Sequence, residues 1–301
     1  MEIAGTIVQF GRPDSKEFEL GAAVQWVFEA ADVKPSTRRT YAYAIRDFTG
    51  WAAGRPLNRA ILVEYKNALR RRTDLSARTR NLYLAAARTL FRQFFVVGIL
   101  PYDASKLVKS FSIGINHKRP PITDAQVRRA FKYARERGDP RLILILNLLY
   151  RQGLRQKELV DLVVDHFDEQ SATLSILGKA RDDRELIHLH PESAKAFRAY
   201  LDHARLRSGF VFPSCRDREQ HIRVNALYRI VERVHDACNI PNSPHAWRKV
   251  FTSKLIESGM NLLEVQQFTR HKSVSQLKIY ADRLSVAKCL PAFYAAFPSE
   301  D

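Results

Sequence analysis

The chain has 301 residues, enough for two domains that each bury a core of their own. Hydrophobic residues make up 46% of it, which excludes global disorder. The formal net charge of +17 favours an anionic polymer or an anionic membrane surface as partner. No apolar run approaches the roughly 20 residues that cross a bilayer, and the N-terminus lacks the pattern of a signal peptide. We therefore expect nucleic acid, and no membrane, as the partner.

The three cysteines, Cys215, Cys238 and Cys289, are widely spaced. They match neither a zinc knuckle nor a disulfide framework, and a reducing cytoplasm is the expected compartment. The sequence predicts neither a metal nor another cofactor.

The N-terminal part of the chain is predicted to be helical. Residues 1–16 carry no periodic signal and are expected to form a flexible arm. Helical spacing of apolar residues then begins at Lys16, and Ser36 is a predicted N-cap for the next helix. Two more helices are predicted at about 59–72 and 76–97. Four helices with short connections indicate a bundle over residues 17–110.

The polar faces of this predicted bundle are strongly basic. Between Lys34 and Ser110 there are 16 Lys or Arg residues and 4 Asp or Glu residues. A merely solvated helix surface usually mixes acids among its bases at i,i+4 spacing, and this one hardly does. We therefore expect phosphate-backbone contacts here. The arginines expected to make them are Arg70, Arg71, Arg72, Arg78, Arg80, Arg88 and Arg92.

Residues 111–121 contain Gly114 and Pro120-Pro121 and are predicted to form an extended linker to a second domain over residues 122–301. That domain opens with a capping box at Thr123, and another helix follows Pro140. Short strands are predicted next, and from Pro191 the pattern is helical except for a loop at 208–218. The strands are expected near 163–167, 172–177 and 185–190. The fold class is mainly α with a small antiparallel β-sheet.

Four side chains near the C-terminus belong to types that bind or attack a phosphate. His245 and Arg248 stand three apart in a helical pattern, so both project from one face. His271 opens a turn after more than five predicted helical turns, and Tyr280 follows nine residues later. Guanidinium groups stay charged and bind phosphate oxygens bidentately, and nearby cations favour a phenolate. We therefore predict that Tyr280 is a nucleophile for a DNA phosphodiester.

Around these residues the chain resembles the tyrosine recombinase (phage integrase) family. The matching text is Gly153-Leu154-Arg155-Gln156-Lys157-Glu158-Leu159, Gly178-Lys179, His245-Ala246-Trp247-Arg248, and His271 through Tyr280. The resemblance implies a SAM-like core-binding helical domain ahead of a mixed α/β catalytic domain that breaks and rejoins DNA. It also implies a site-specific recombinase that acts on double-stranded DNA in the cytoplasm, at the nucleoid.

The resemblance assigns a role to each matching side chain. Arg155 and Arg248 would hold the scissile phosphate, and His271 would hydrogen-bond one of its non-bridging oxygens. Lys179 would protonate the departing 5′-oxygen. Tyr280 would form a 3′-phosphotyrosine link.

Two further positions support these side chains in the same comparison. His245 would help to deprotonate or orient the tyrosine. Glu158 matches an acidic position of the family and would orient an arginine or a loop. The chain departs from the family pattern at Trp247, where leucine is usual, at Lys249-Val250, where His-Thr is common, and at Arg270, where glycine usually precedes the second histidine.

Taken singly, each of these residues has a plainer interpretation. Tyr280 alone would be a half-buried packing tyrosine, His245 a core histidine and Lys179 a surface charge, while Arg155 and Glu158 could form an ordinary i,i+3 pair. Their joint order favours the catalytic reading. The alternatives are a type IB topoisomerase-like or telomere-resolvase strand transferase, or an inactive DNA-binding relative.

The tail after Tyr280 carries an apolar helical pattern that includes Leu284, Val286 and Leu290. Such a helix could fold back on its own domain. The family resemblance implies instead that it docks into a neighbouring subunit of a homo-tetramer on two DNA duplexes.

Overall fold

The computed structural model describes residues 7–8, 18–19, 35–112, 121–178 and 184–277. Contacts between residues divide the chain into two units, Met1–Asn116 and His117–Asp301. This division falls inside the stretch expected to be a linker.

The first described elements are two short strands. β1 (Ile7–Val8) pairs antiparallel with β2 (Phe18–Glu19), with Val8 opposite Phe18. β1 lies in the predicted arm, and β2 lies where a helix was expected from Lys16, so the helix prediction is wrong at these two residues. The sequence Glu-Phe-Glu-Leu around them alternates polar and apolar residues, as a strand does, and the structure follows this pattern and not the helical spacing. The rest of that predicted helix lies outside the described residues.

Three helices carry the core of the first unit. They are α1 (Pro35–Ala52), α2 (Ile61–Arg71) and α3 (Ala77–Val96). α1 begins at Pro35, which suits the first helical position, so Ser36 lies inside the helix and the N-cap prediction is wrong. Ser76 does cap α3, because its hydroxyl accepts a hydrogen bond from the Thr79 N–H at 3.1 Å.

Aromatic side chains join these helices. The Phe48 ring meets the edges of Tyr65 and Phe91, with ring centroids 5.0 and 5.6 Å apart, and all three are fully buried. A 3₁₀ helix, Ala104–Leu107, packs against α3 and closes the core.

The second unit opens with two helices that match their predicted starts. α4 (Asp124–Glu136) begins at a capping box in which Thr123 and Gln126 bond each other's backbone N–H groups. α5 (Pro140–Tyr150) is apolar on almost every side and lies buried in the core. The short helix α6 (Gln156–Val160) follows.

A three-stranded antiparallel sheet follows α6. Its strands, in spatial order, are β3 (Phe167–Asp168), β4 (Thr173–Leu177) and β5 (Arg184–His188). The first predicted strand, 163–167, is mostly wrong because residues Val164–His166 form a 3₁₀ helix. The backbone of this segment instead bonds a later loop, with the Val164 N–H donating to the Gly209 carbonyl at 2.8 Å.

Four further helices complete the described chain: α7 (Pro191–Ala204), α8 (Val224–Ala237), α9 (His245–Glu257) and α10 (Leu262–Thr269). The predicted run of more than five helical turns after His245 is thus two helices. Gly259, at φ +93°, and the Asn261 cap of α10 separate them. A 3₁₀ helix, Val274–Gln276, ends the described residues. Within the described part, no helix is long and apolar enough to cross a membrane.

Candidate active site

A sharp turn before α6 places Arg155. Gly153 has φ +58°, a conformation that favours glycine, and a Cβ there would stand 2.2 Å from Cδ1 of Phe251. Arg155 then occupies the N-cap position of α6 in an extended conformation. Oε2 of Glu158 accepts from the Arg155 backbone N–H at 2.8 Å, and its Oε1 accepts from Nη1 of the same arginine at 2.5 Å. The carboxylate therefore fixes both the backbone and the guanidinium of Arg155.

Arg248 lies in the first turn of α9 and is only 3% exposed. Its Nη1 donates to the Gly153 carbonyl at 2.5 Å, and its Nη2 donates to the Thr269 carbonyl. Both of these acceptors are uncharged backbone groups, so these two hydrogen bonds orient the guanidinium without neutralising its charge. Arg248 thus links the turn before α6, α9 and the end of α10.

Trp247, beside it, explains one departure from the family pattern. The indole is fully buried, and its Nε1 donates to Nε2 of His235 at 2.8 Å. Nδ1 of His235 in turn donates to the Asn242 carbonyl at 2.6 Å. Burial lowers the pKa of His235 and so favours the neutral ring that this pattern requires. The larger side chain therefore anchors the first turn of α9 to α8.

Arg270, another departure, enters the site from the C-terminus of α10. It caps that helix at φ +54°, its side chain is 5% exposed, and its Nη2 lies 2.9 Å from Oε2 of Glu158. Its backbone carbonyl accepts from Nη2 of Arg155 at 3.4 Å. The sequence marks this position as a departure from the family pattern but does not reveal these contacts. The available signal was a long cation where the family usually has a glycine.

Glu158 is consequently a buried carboxylate between two guanidinium groups, with a side chain 3% exposed. Burial alone would raise its pKa, but the charge of Arg270, the hydrogen bond from the Arg155 backbone and the charge of Arg155 together lower it. It therefore remains ionised. Within the described part of the chain, the four side chains of Arg155, Arg248, Arg270 and Glu158 together carry a net charge of +2.

His271 lies at the edge of this cluster. Its Nδ1 is 2.7 Å from the Thr269 hydroxyl, which already donates its hydrogen to the Val265 carbonyl. The hydroxyl can therefore only accept from Nδ1, and the neutral ring keeps its lone pair on Nε2. Burial and the nearby charges of Arg248, Arg155, Arg270 and His245 lower the pKa of His271 to about 4. The ring is neutral at physiological pH.

The structure thus brings four of the six predicted catalytic residues together. Arg155, Arg248 and His271 meet as described above, and His245, the exposed first residue of α9, is close enough for its charge to act on His271. Lys179 and Tyr280 lie outside the described residues. A concentration of guanidinium groups around one orienting carboxylate can bind a phosphate-like anion and offset added negative charge on it.

The predicted DNA-contacting arginines of the first unit fall into two groups. Arg72 is held by Asp47 at 2.5 Å and Asp74 at 3.0 Å, whose hydrogen bonds raise its pKa. Arg80 and Arg88 donate to backbone carbonyls of their own unit at 3.2 and 3.0 Å. The other four are exposed: Arg70, Arg71, Arg78 and Arg92.

This chain is similar to known proteins of one family. The family model described as "Phage integrase family" matches residues 120–285. The chain is 28% identical to tyrosine recombinase XerD of Pseudomonas aeruginosa over 260 residues, which cover 81% of this chain and 86% of that protein. It is 26% identical to tyrosine recombinase XerA of Thermococcus kodakarensis over 249 residues, with 82% and 84% covered.

Solved structures show the same fold at low sequence identity. The Tn1549 transposon integrase in complex with transposon right end DNA superposes with a TM-score of 0.70 at 15% identity, over 92% of this chain and 98% of that one. A lambda integrase dimer bound to a COC′ core site gives 0.64 at 13% identity, over 85% and 96%.

The fold and the cationic site thus define a protein of the tyrosine recombinase class. The match to more than half of its residues shows that the chain belongs to the phage integrase family. The predicted fold class is confirmed. So is the prediction of a site-specific DNA recombinase, and the alternative readings are not favoured.

Proposed function

We propose that this recombinase cleaves and rejoins DNA through Tyr280, with Arg155, Lys179, His245, Arg248 and His271 as the other catalytic residues. The observation that carries the proposal is the convergence of Arg155, Arg248 and His271 from three separate segments onto one partly buried cationic site. Structural cores seldom gather like charges at such a cost, whereas a phosphate-binding site requires them.

In the proposed reaction, the Tyr280 oxygen attacks the scissile phosphorus while Arg155 and Arg248 bind the non-bridging oxygens. The bond from phosphorus to the tyrosine oxygen forms and the bond to the 5′-oxygen breaks. Lys179 gives a proton to the departing 5′-oxygen, and His245 helps to remove the phenol proton. Rejoining is the reverse attack by a 5′-hydroxyl, and the phosphotyrosine conserves the bond energy, so no high-energy cofactor is consumed.

His271 takes a more specific part in this scheme than the sequence indicated. Its neutral ring has a lone pair at Nε2, which cannot donate to a phosphate oxygen. A bound phosphate brings negative charge against the surrounding arginines and so raises the pKa of this ring. We therefore expect His271 to gain a proton as DNA binds and then to donate to a non-bridging oxygen.

The proposed partner is a double-stranded DNA recombination site. Residues 17–110 would contact the DNA backbone through exposed arginines, residues 111–121 would link this domain to the catalytic domain at 122–301, and residues 1–16 would form an arm. The tail after Tyr280, which lies outside the described residues, would join four subunits on two duplexes. We place this activity in the cytoplasm, at the nucleoid.

Covalent trapping tests the proposal. A DNA site is first selected by binding from a pool of random duplexes and is then prepared with a nick, so that the cleaved strand escapes and the protein–DNA adduct accumulates. Tyr280→Phe should abolish the adduct. Tyr228→Phe, which changes an exposed tyrosine in α8, is the matched control and should leave it intact.

The products separate the proposal from its alternatives. With two plasmids that carry the selected site, a recombinase yields strand-swapped molecules. Relaxed circles alone would indicate a topoisomerase-like enzyme. DNA binding without any adduct would indicate an inactive relative and contradict the proposal.

A further inference from the structure

We infer that Arg270 is a positioning residue that frees Arg155 for the phosphate by sharing the buried carboxylate of Glu158. This inference rests on the proposed function of the site. Arg270 stands where the family usually has glycine, and its contacts with Glu158 and Arg155 lie within the described residues.

Arginine at position 270 carries two penalties to the stability of the fold. Its backbone has φ +54°, which costs a residue with a Cβ about 1 kcal/mol or more. Its side chain is buried, and within the described part of the chain its Nε has no hydrogen-bond partner. Glycine would avoid both costs. The contacts that compensate are the ion pair with Glu158 and a hydrogen bond from Nη1 to the Phe268 carbonyl at 3.2 Å.

Glu158 serves two guanidinium groups through different oxygens. Oε1 binds Nη1 of Arg155, and Oε2 binds Nη2 of Arg270. When a phosphate draws Nη1 of Arg155 away, Oε1 loses its partner. Because Arg270 and the Arg155 backbone N–H still hold Oε2, the buried carboxylate does not become an unpaired charge. Without Arg270, releasing Arg155 would cost more, and the carboxylate would compete with the phosphate for it.

Four forms of the full chain test this inference: wild type, Arg270→Gln, Arg270→Lys and the double variant Arg270→Gln with Glu158→Gln. Gln keeps the Cβ and the polarity but removes the charge, and Lys keeps the charge. The assay is single-turnover adduct formation on the nicked selected duplex, with the Kd for the same duplex measured separately.

We expect Arg270→Gln to slow adduct formation by about tenfold to a hundredfold, the equivalent of one charge-assisted hydrogen bond. The Kd for the duplex should change much less, because the other contacts between the protein and the DNA phosphate backbone are retained. Lys should restore part of the rate. Neutralising Glu158 in the double variant should restore more of it, since Arg155 is then no longer held by a carboxylate.

An Arg270→Gln protein that reacts at the wild-type rate would overturn the inference, as would a double variant slower than Arg270→Gln alone. If Arg270→Gln does not unfold cooperatively, Arg270→Gly replaces it, because glycine accepts the backbone conformation at this position. A wild-type chain that gives no adduct would instead refute the proposed function itself.

Discussion

The turn at Gly153 offers a quantitative test of how the site is built. Gly153 and Gly138 have nearly the same positive φ, at +58° and +56°. A Cβ on Gly138 would meet nothing within 4 Å, whereas a Cβ on Gly153 would stand 2.2 Å from the Phe251 ring. Alanine at the two positions therefore separates backbone strain from steric overlap.

For Gly138→Ala, about 1–2 kcal/mol of left-handed strain is partly offset by about 0.4–1 kcal/mol of lost unfolded-state entropy. We expect it to cost roughly 1 kcal/mol of unfolding free energy. Gly153→Ala adds about 1–3 kcal/mol for displacing a buried ring. The two variants should thus differ by about 2 kcal/mol, or roughly 4–8 °C in Tm for a unit of this size.

Urea and thermal unfolding of both variants measure this difference. Gly153→Ala should also slow adduct formation, because the Gly153 carbonyl orients Arg248 and the turn leads into Arg155. Adding Phe251→Leu should recover part of the stability lost by Gly153→Ala. Equal destabilisation by the two alanines would refute the assigned role of the Phe251 contact.

Three other predictions follow from buried or exposed charges. Glu158→Ala should lower the free energy of unfolding by about 3–5 kcal/mol, because it leaves buried guanidinium groups without their carboxylate. Urea unfolding should show this difference above about pH 4.5, and the difference should decline as the pH falls through the lowered pKa of Glu158. A wild-type chain no more stable than this variant at pH 7 would contradict it. The pKa of His271 in the folded protein is lowered to about 4, so wild type should lose stability relative to His271→Asn as the pH falls below about 6.5. If the free energies of unfolding of the two proteins changed in parallel with pH, the ring would not be neutral. Finally, Arg71→Gln and Arg78→Gln should each weaken DNA binding and reduce its salt slope by about 1, whereas Arg72→Gln should mainly weaken the fold; equal salt slopes in all three variants would contradict the division into exposed and paired arginines.

Many of the helix boundaries could be predicted from the sequence, because the local capping residues favour the same helices that the tertiary structure contains. The Thr123 capping box, the helix start at Pro140 and the helix predicted at 76–97 all lie where the sequence predicts them. Errors arose where two periods competed. A helix is predicted over Phe18–Glu19, where the structure has a strand, and the strand predicted at 163–167 is mostly a 3₁₀ helix.

The sequence does carry a signal for the break between α9 and α10. Asn261 and Glu264 form a capping box, and Gly259 precedes it, so the sequence marks a helix start there. An unbroken helix from His245 would have continued in one direction. The turn allows α10 to return its C-terminus, with the Thr269 carbonyl, to Arg248.

In the site, residue types were predictable but their environments were not. Sequence motifs identify Arg248 and Glu158. The neighbouring sequence, however, does not predict that both are buried or that Arg270 shares the carboxylate. The neutral state of His271 also depends on a hydroxyl and on charges from distant segments. Tertiary packing sets burial and charge, and spacing along the chain cannot report them.

The most direct test of the account is to locate the covalent bond. The trapped adduct is trimmed with nuclease and digested with trypsin, and the peptides are sequenced by tandem mass spectrometry. The account predicts a residual nucleotide on the tyrosine of the peptide Ile279–Arg283, attached through a 3′-phosphate. A nucleotide on any other side chain, or a 5′-linked one on Tyr280, would contradict it.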